Sequence, residues 1–250
     1  MAWRVNRDYP EDFFEITPMG SKELSSHRLI EPSSVGLILP GTSGNAMVIA
    51  SNLKSLREEA ANCQACPLWK NATQTVFGEG PAHARAVLVG EQPGDKEDLA
   101  GKPFVGPAGQ MLDRALEEAG IDRSKVYVTN AVKHFKFVAR GKIRLHQKPT
   151  TPEIRACRQW YERELATIKP TLVVAMGATA AQSVFGKMTP INKNRGHLID
   201  LEQGIQALVT VHPSYLLRLP DAQAKAREYE RFVSDLKIAA TLLRKSAHAS

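Results

Sequence analysis

Four short apolar runs constrain this chain more than any other feature. They are Ala86 to Val89, Val126 to Thr129, Leu172 to Met176 and Ala207 to Val211. Each is strand length, and helical patterns separate most of them. Pro107 to Ala119 places Met111, Leu112, Ala115 and Leu116 at helical spacing. Thr151 to Ile168 opens with Thr-Pro-Glu, a helix start with proline in the first turn, and sets Ile154, Cys157, Tyr161 and Leu165 on one face. Ala178 to Phe185 and Asp221 to Leu243 read as two more helices, and "NLKSLREEAANC" as another, capped by Ser51 or Asn52. Strands alternating with helices predict a three-layer α/β/α sandwich around a central four-stranded parallel sheet. At 250 residues and 43% hydrophobic, the chain can bury the core such a sandwich needs.

The flanks are less regular. Residues 1–50 show no period and include the loop-like "EPSSVGLILPGTSGNAM", so they are expected to form a poorly ordered or loosely docked extension of a domain spanning residues 51–246. No apolar run reaches the roughly 18 residues of a membrane span, and the first residues lack the basic start and apolar core of a secretion signal. A cytoplasmic, monomeric protein is expected. The net charge of +7 and pI near 9.4 favour a polyanionic partner such as nucleic acid. Three cysteines do not make a disulfide framework, and Cys63-Gln64-Ala65-Cys66 has spacing that suits a metal, a cluster or a redox pair.

In parallel sheets, ligands bind beyond the carboxyl ends of the strands. After the four runs come Gly90-Glu91-Gln92-Pro93-Gly94-Asp95, Asn130-Ala131-Val132-Lys133-His134, Gly177-Ala178-Thr179 and His212-Pro213-Ser214. Any one of these is ordinary turn chemistry. Together they bring an acid, an amide and a histidine to one sheet edge. A further histidine, His146, ends the basic stretch "GKIRLHQKP". A solvated surface residue, a phosphate contact, a general acid or base, and a nucleophile are all open to it.

"GEQPGDKEDLAGKPFVGPAGQMLDRAL", "YVTNAVKHFKF" and "VHPSYLLR" resemble the iron–sulfur branch of the uracil-DNA glycosylase superfamily, from about Leu53 to Leu243. The basic stretch resembles the UdgX type within that branch. Its loop is typically Lys-Arg-Arg-Ile-His, and here it is Lys142-Ile143-Arg144-Leu145-His146. The second position has lost an arginine, which bears on phosphate contacts more than on the histidine.

The resemblance implies a flipped uracil stacked on Phe104, read at N3–H and O4 by Asn130, and closed in by Gln92 and Asp95. It implies Glu91 near the sugar cation and His212 at uracil O2, with the charge state of His212 left open. Lys142, Arg144, Ser214 and Arg218 would contact DNA, both single-stranded and double-stranded. His146 would capture C1′ covalently, so that the protein turns over once. The alternative is a conventional glycosylase that releases a free abasic site. The resemblance also implies a [4Fe–4S] cluster on Cys63, Cys66, Cys157 and His134, the last standing where the branch carries a fourth cysteine. From its position alone, Cys157 reads equally well as a core residue.

Overall fold

The computed structural model describes residues 52–201 and 204–245. The expected extension, residues 1–50, lies outside the described residues, as do both ends of the expected 51–246 domain.

The first helix, α1 (Leu53–Ala60), is capped by Asn52, whose Oδ1 accepts the Ser55 N–H at 2.9 Å. Then follow β1 (Ala86–Gly90), α2 (Asp95–Ala100), α3 (Pro107–Ala119), β2 (Tyr127–Asn130), β3 (Phe137–Arg140), β4 (Ile143–His146) and α4 (Thr151–Ile168). The chain continues through β5 (Leu172–Met176), α5 (Ala178–Phe185), α6 (Ile191–Asn194), β6 (Leu198–Asp200), β7 (Gln206–Thr210), α7 (Pro213–Arg218) and α8 (Ala222–Lys245).

The main sheet has the order β2-β1-β5-β7-β6. β2, β1, β5 and β7 are the four anticipated parallel strands. β6 adds a fifth, antiparallel to β7, at the edge. It was not foreseen because three residues at a partly exposed edge make no continuous apolar run. Along β1 and β5 every residue is buried, since helices cover both faces of the sheet. Leu88, Val128, Val174 and Leu208 pack with α3 and α8 on one side. Val87, Val89, Val173 and Ala175 pack with α4 and α5 on the other. Residues 137–146 form a β-hairpin with a two-residue turn at Gly141 and Lys142, outside the main sheet.

One close approach fixes the route into α3. A methyl group on Gly109 would collide with the Phe104 carbonyl, and Phe104 itself sits at φ +58°, unusual for a residue with a side chain. Gly109→Ala is therefore expected to lower the thermal midpoint by about 10 °C, measured by circular dichroism, because backbone must shift to admit the methyl group.

Candidate functional site

Parallel pairing of Gly90 with Asn130 ends β1 and β2 at the same level. Glu91, Asn130 and, after β7, His212 therefore meet at one edge, where a cavity of about 240 Å³ is lined by Glu91, Gln92, Phe104, Asn130, His146 and His212 among others. Three of these side chains close on Gly90. A methyl group there would lie within 3.3 Å of Asn130 Oδ1, Phe104 Cζ and His212 Nε2 at once. Only a glycine lets the amide, the aromatic ring and the imidazole approach one another this closely. Phe104 is buried, and its ring lies 6.2 Å from that of His212.

The tautomer of His212 follows from its neighbours. The Ser214 N–H donates to Nδ1 at 3.2 Å, so the ring proton belongs on Nε2, the nitrogen facing the cavity. Arg218 Nη1 donates to Ser214 Oγ at 3.0 Å, which leaves that hydroxyl to donate to Nδ1 at 2.7 Å. Burial pushes His212 down to about 4, against an opposing pull from Glu91. It is neutral at pH 7.

Glu91 Oε1 lies 3.1 Å from His146 Nε2, and Glu91 Oε2 accepts the Thr179 hydroxyl at 2.7 Å. Burial would raise the Glu91 carboxyl, but the hydrogen bonds from His146 and Thr179 outweigh it and hold the group below the usual carboxylate range. His146 stays about half exposed, facing a groove of about 780 Å³ that also borders Lys148, Tyr215, Arg218 and Arg231.

The hairpin carrying His146 is fixed at both ends. At its base, Gln92 Oε1 accepts the Lys136 N–H at 3.0 Å, and Gln92 Nε2 donates to the Gln147 carbonyl at 2.9 Å. Farther along, Arg144 donates to Asp95 Oδ1 at 2.6 Å and to the buried Asp98, with its guanidinium 5.4 and 5.1 Å from the Phe135 and Phe137 rings.

Cys63, Cys66 and Cys157 gather in one apolar cluster with Trp160, Ile154 and Val132. Each sulfur is met by an N–H: Cys63 by Trp160 Nε1 at 3.1 Å, Cys157 by the Lys133 backbone at 3.2 Å, and Cys66 by the Leu68 backbone. Burial pushes the Cys157 thiol up to about 12, outweighing the Lys133 charge and backbone N–H that favour its thiolate. Two buried sulfurs and one partly buried, each offered a donor, match what thiolates on an iron–sulfur cluster receive, so the residues fit such a group. Among the described residues no three His, Cys, Asp or Glu side chains converge as on a single metal ion. His134 is buried, and its Nε2 lies 2.8 Å from Thr75 Oγ1. That hydroxyl donates to the Ala60 carbonyl, which also accepts the Cys63 N–H. Thr75 therefore accepts from Nε2–H, and Nδ1 is the nitrogen with a lone pair to offer.

The family model for the uracil DNA glycosylase superfamily matches residues 77–237. The chain belongs to the uracil DNA glycosylase superfamily. It is 39% identical over 195 residues to a Type-4 uracil-DNA glycosylase of Thermotoga maritima, covering 77% of this chain and 95% of that relative. Type-4 uracil-DNA glycosylases of Archaeoglobus fulgidus and Sulfurisphaera tokodaii are 33% and 32% identical, over 74% and 75% of this chain and 90% and 86% of theirs.

In this superfamily member the structure brings Glu91, Asn130, Phe104, His146 and His212 together at one cavity, as the sequence suggested. Two of the expected site residues are engaged with each other. Asp95 does not line the cavity: it is half exposed and paired with Arg144. Arg144 is paired with Asp95 and Asp98 and keeps a fifth of its side chain exposed. Gln92 borders the cavity, but its amide is spent on the hairpin backbone. Ser214 supports His212, Arg218 reaches the groove from α7, and Lys142 stands exposed at the hairpin turn. Sequence reasoning placed Thr179 at a strand end but gave it no role, and it missed Asp98 and Glu97. Glu97 accepts the N–H groups of Gly94 and Gly106 and so ties down the Phe104 loop. The spacing of Asp95 and Asp98, one turn apart on α2, was the available sign of a basic partner.

The low value of His212 gives stability a pH dependence. In the unfolded chain the ring gains its proton as pH falls through about 6.5, whereas the folded ring waits until about 4. The stabilisation is complete above 6.5 and is lost progressively down to about 4. Glu91, held low, adds a loss as pH falls through its own depressed value. Urea unfolding at stepped pH should show this decline, and His212→Asn should flatten it between 6.5 and 4.

Proposed function

We propose that this protein excises uracil from DNA and then bonds to the resulting sugar through His146, in the manner of the UdgX type. The observation that carries the proposal is the 3.1 Å contact between His146 Nε2 and Glu91 at the mouth of the Phe104–Asn130–His212 cavity. The base enters this cavity, stacks on Phe104 and meets the Asn130 amide. As the C1′–N1 bond breaks, its electron pair leaves with uracil. The Nε2–H of neutral His212 donates to the developing oxyanion, a fixed donor aimed where charge appears. The Glu91 carboxylate faces the sugar cation. His146 Nε2 then bonds to C1′, and its proton passes to Glu91. Proximity of the imidazole, worth about 7–11 kcal/mol in well-oriented cases, lets it outcompete water. The strand would run in the neighbouring groove past Lys148, Arg218 and Arg231.

The names of the relatives support a second reading, a conventional glycosylase in which water takes the place of His146. Denaturing electrophoresis after mixing with uracil-containing DNA separates the two: a shifted protein–DNA band, or an alkali-labile abasic strand. His146→Ser should abolish the shifted band and leave uracil release. A shifted band that survives His146→Ser overturns the covalent assignment.

Cys63, Cys66, Cys157 and His134, through Nδ1, would hold a [4Fe–4S] cluster. When bound, the group acts as a structural crosslink joining the turn after α1, the segment after β2 and α4. Protein made with ample iron should carry about four iron and four sulfide per chain, and Cys157→Ala should lose the brown absorbance and melt earlier. Stoichiometric zinc in place of iron would refute the cluster.

A further inference from the structure

Lys133 and Glu164 are both fully buried, and Lys133 Nζ donates to Glu164 Oε2 at 2.6 Å. The ammonium also donates to Thr129 Oγ1 at 2.5 Å and to the Asn130 carbonyl at 3.0 Å. Glu164 accepts further from the Tyr127 hydroxyl at 2.9 Å, the Gly78 N–H at 3.1 Å and the Thr129 hydroxyl at 3.0–3.1 Å. Every charge in this network is answered. Burying a lysine and a glutamate is nonetheless costly, and apolar residues of similar volume often serve stability as well or better. The placement of the pair suggests what it is for. The backbone N–H of Lys133 donates to Cys157 Sγ, while its side chain turns back to grip the last residue of β2, the cavity amide Asn130.

We propose that Lys133, held by Glu164, is a positioning residue for base recognition: it fixes the Asn130 backbone, and through it the direction of the side-chain amide, against the cysteine-bearing frame on α4. This rests on the proposed uracil pocket. An amide that reads a base edge must keep its donor and acceptor in a set plane. β2 ends at Asn130, and the next two N–H groups, of Ala131 and Val132, still donate to the Gly90 and Glu91 carbonyls at 2.9 and 3.0 Å. Lys133 adds a hold on the Asn130 carbonyl itself, with its other bonds to Thr129 and Glu164 fixing the ammonium. The side chain does not touch the base, so its effect must pass through Asn130.

The test replaces the pair as a unit, Lys133→Met with Glu164→Met, in the full chain carrying its iron. Four quantities are measured beside wild type: thermal midpoint, cluster absorbance, affinity for free uracil, and affinity for uracil-free DNA. Excision rate on a uracil-containing strand is followed in parallel. The expected result is a folded, brown protein that binds uracil-free DNA as wild type does. It should nevertheless lose about ten-fold or more in both free-uracil affinity and excision rate. Wild-type uracil affinity and rate in that variant would overturn the proposal and leave the pair a purely structural feature. If the double variant does not fold, Thr129→Val serves. It removes one hydroxyl from the network at constant volume, and free-uracil affinity should again fall while DNA affinity holds; unchanged uracil affinity overturns the proposal there too. A wild-type protein that excises no uracil would instead sink the functional reading itself, and the two failures are thereby told apart.

Discussion

The missing side chain at Gly90 governs the site. β1 must stop where it does, next to Asn130 and beneath Phe104 and His212, and it must stop with no Cβ. Any methyl group would push apart the three side chains that border the cavity. The surrounding devices keep that space shaped. Gly109 lets α3 start directly under the Phe104 carbonyl, Glu97 ties the two ends of the loop that carries Phe104, and Ser214 orients His212. A planar ligand with polar edges fits what remains. The chemistry therefore depends on a strand-pairing register that the apolar core sets, since slipping β1 against β2 by one residue would exchange Gly90 for a residue with a side chain or a different partner.

The hairpin shows how a histidine at the cavity is held without being buried. His146 is half exposed, so packing alone does not place it. Gln92 grips the strand ends, and Arg144 is drawn between two carboxylates and two aromatic rings. Pairing of Phe137 with His146 and of Ala139 with Arg144 puts these residues on one face of the hairpin. That face turns toward Glu91 and α2, and Val138, Ile143 and Leu145 are left exposed. The position where the family pattern has arginine, Ile143, is on that outer face, away from Glu91.

The regular part of this fold was legible because burial on both faces writes continuous apolar runs into parallel strands. Leu172–Met176, Pro107–Ala119, Thr151–Ile168 and Ala178–Phe185 fall where periodicity put them. β6 and the hairpin were not visible, because exposed strands need no apolar run and basic residues there look like a loop. Convergence of Glu91, Asn130 and His212 was readable from topology, since parallel strands end on one side. What each side chain does with its polar atoms was not. Asp95 and Gln92 sit in the expected loop, yet both are spent on the hairpin, a choice made by residues about fifty positions away.

The same point changes how the basic composition is understood. A net charge of +7 suggests a broad cationic surface. Several of the arginines that seem to supply it are already answered within the fold. Arg144 has Asp95 and Asp98, Arg195 has Glu228 and Asp235, and Arg163 has Glu59. Counterion release rewards only cations that reach phosphate from solvent, so paired arginines add little to it. The cations that border the groove, Lys148, Arg195, Arg218 and Arg231, are few, and Arg195 and Arg231 already share Glu228. A shallow grip on the strand is consistent with a site whose selectivity comes from a small enclosed cavity. In such an arrangement the backbone contacts add little, and selection rests on what the cavity beside Glu91, Phe104 and Asn130 admits.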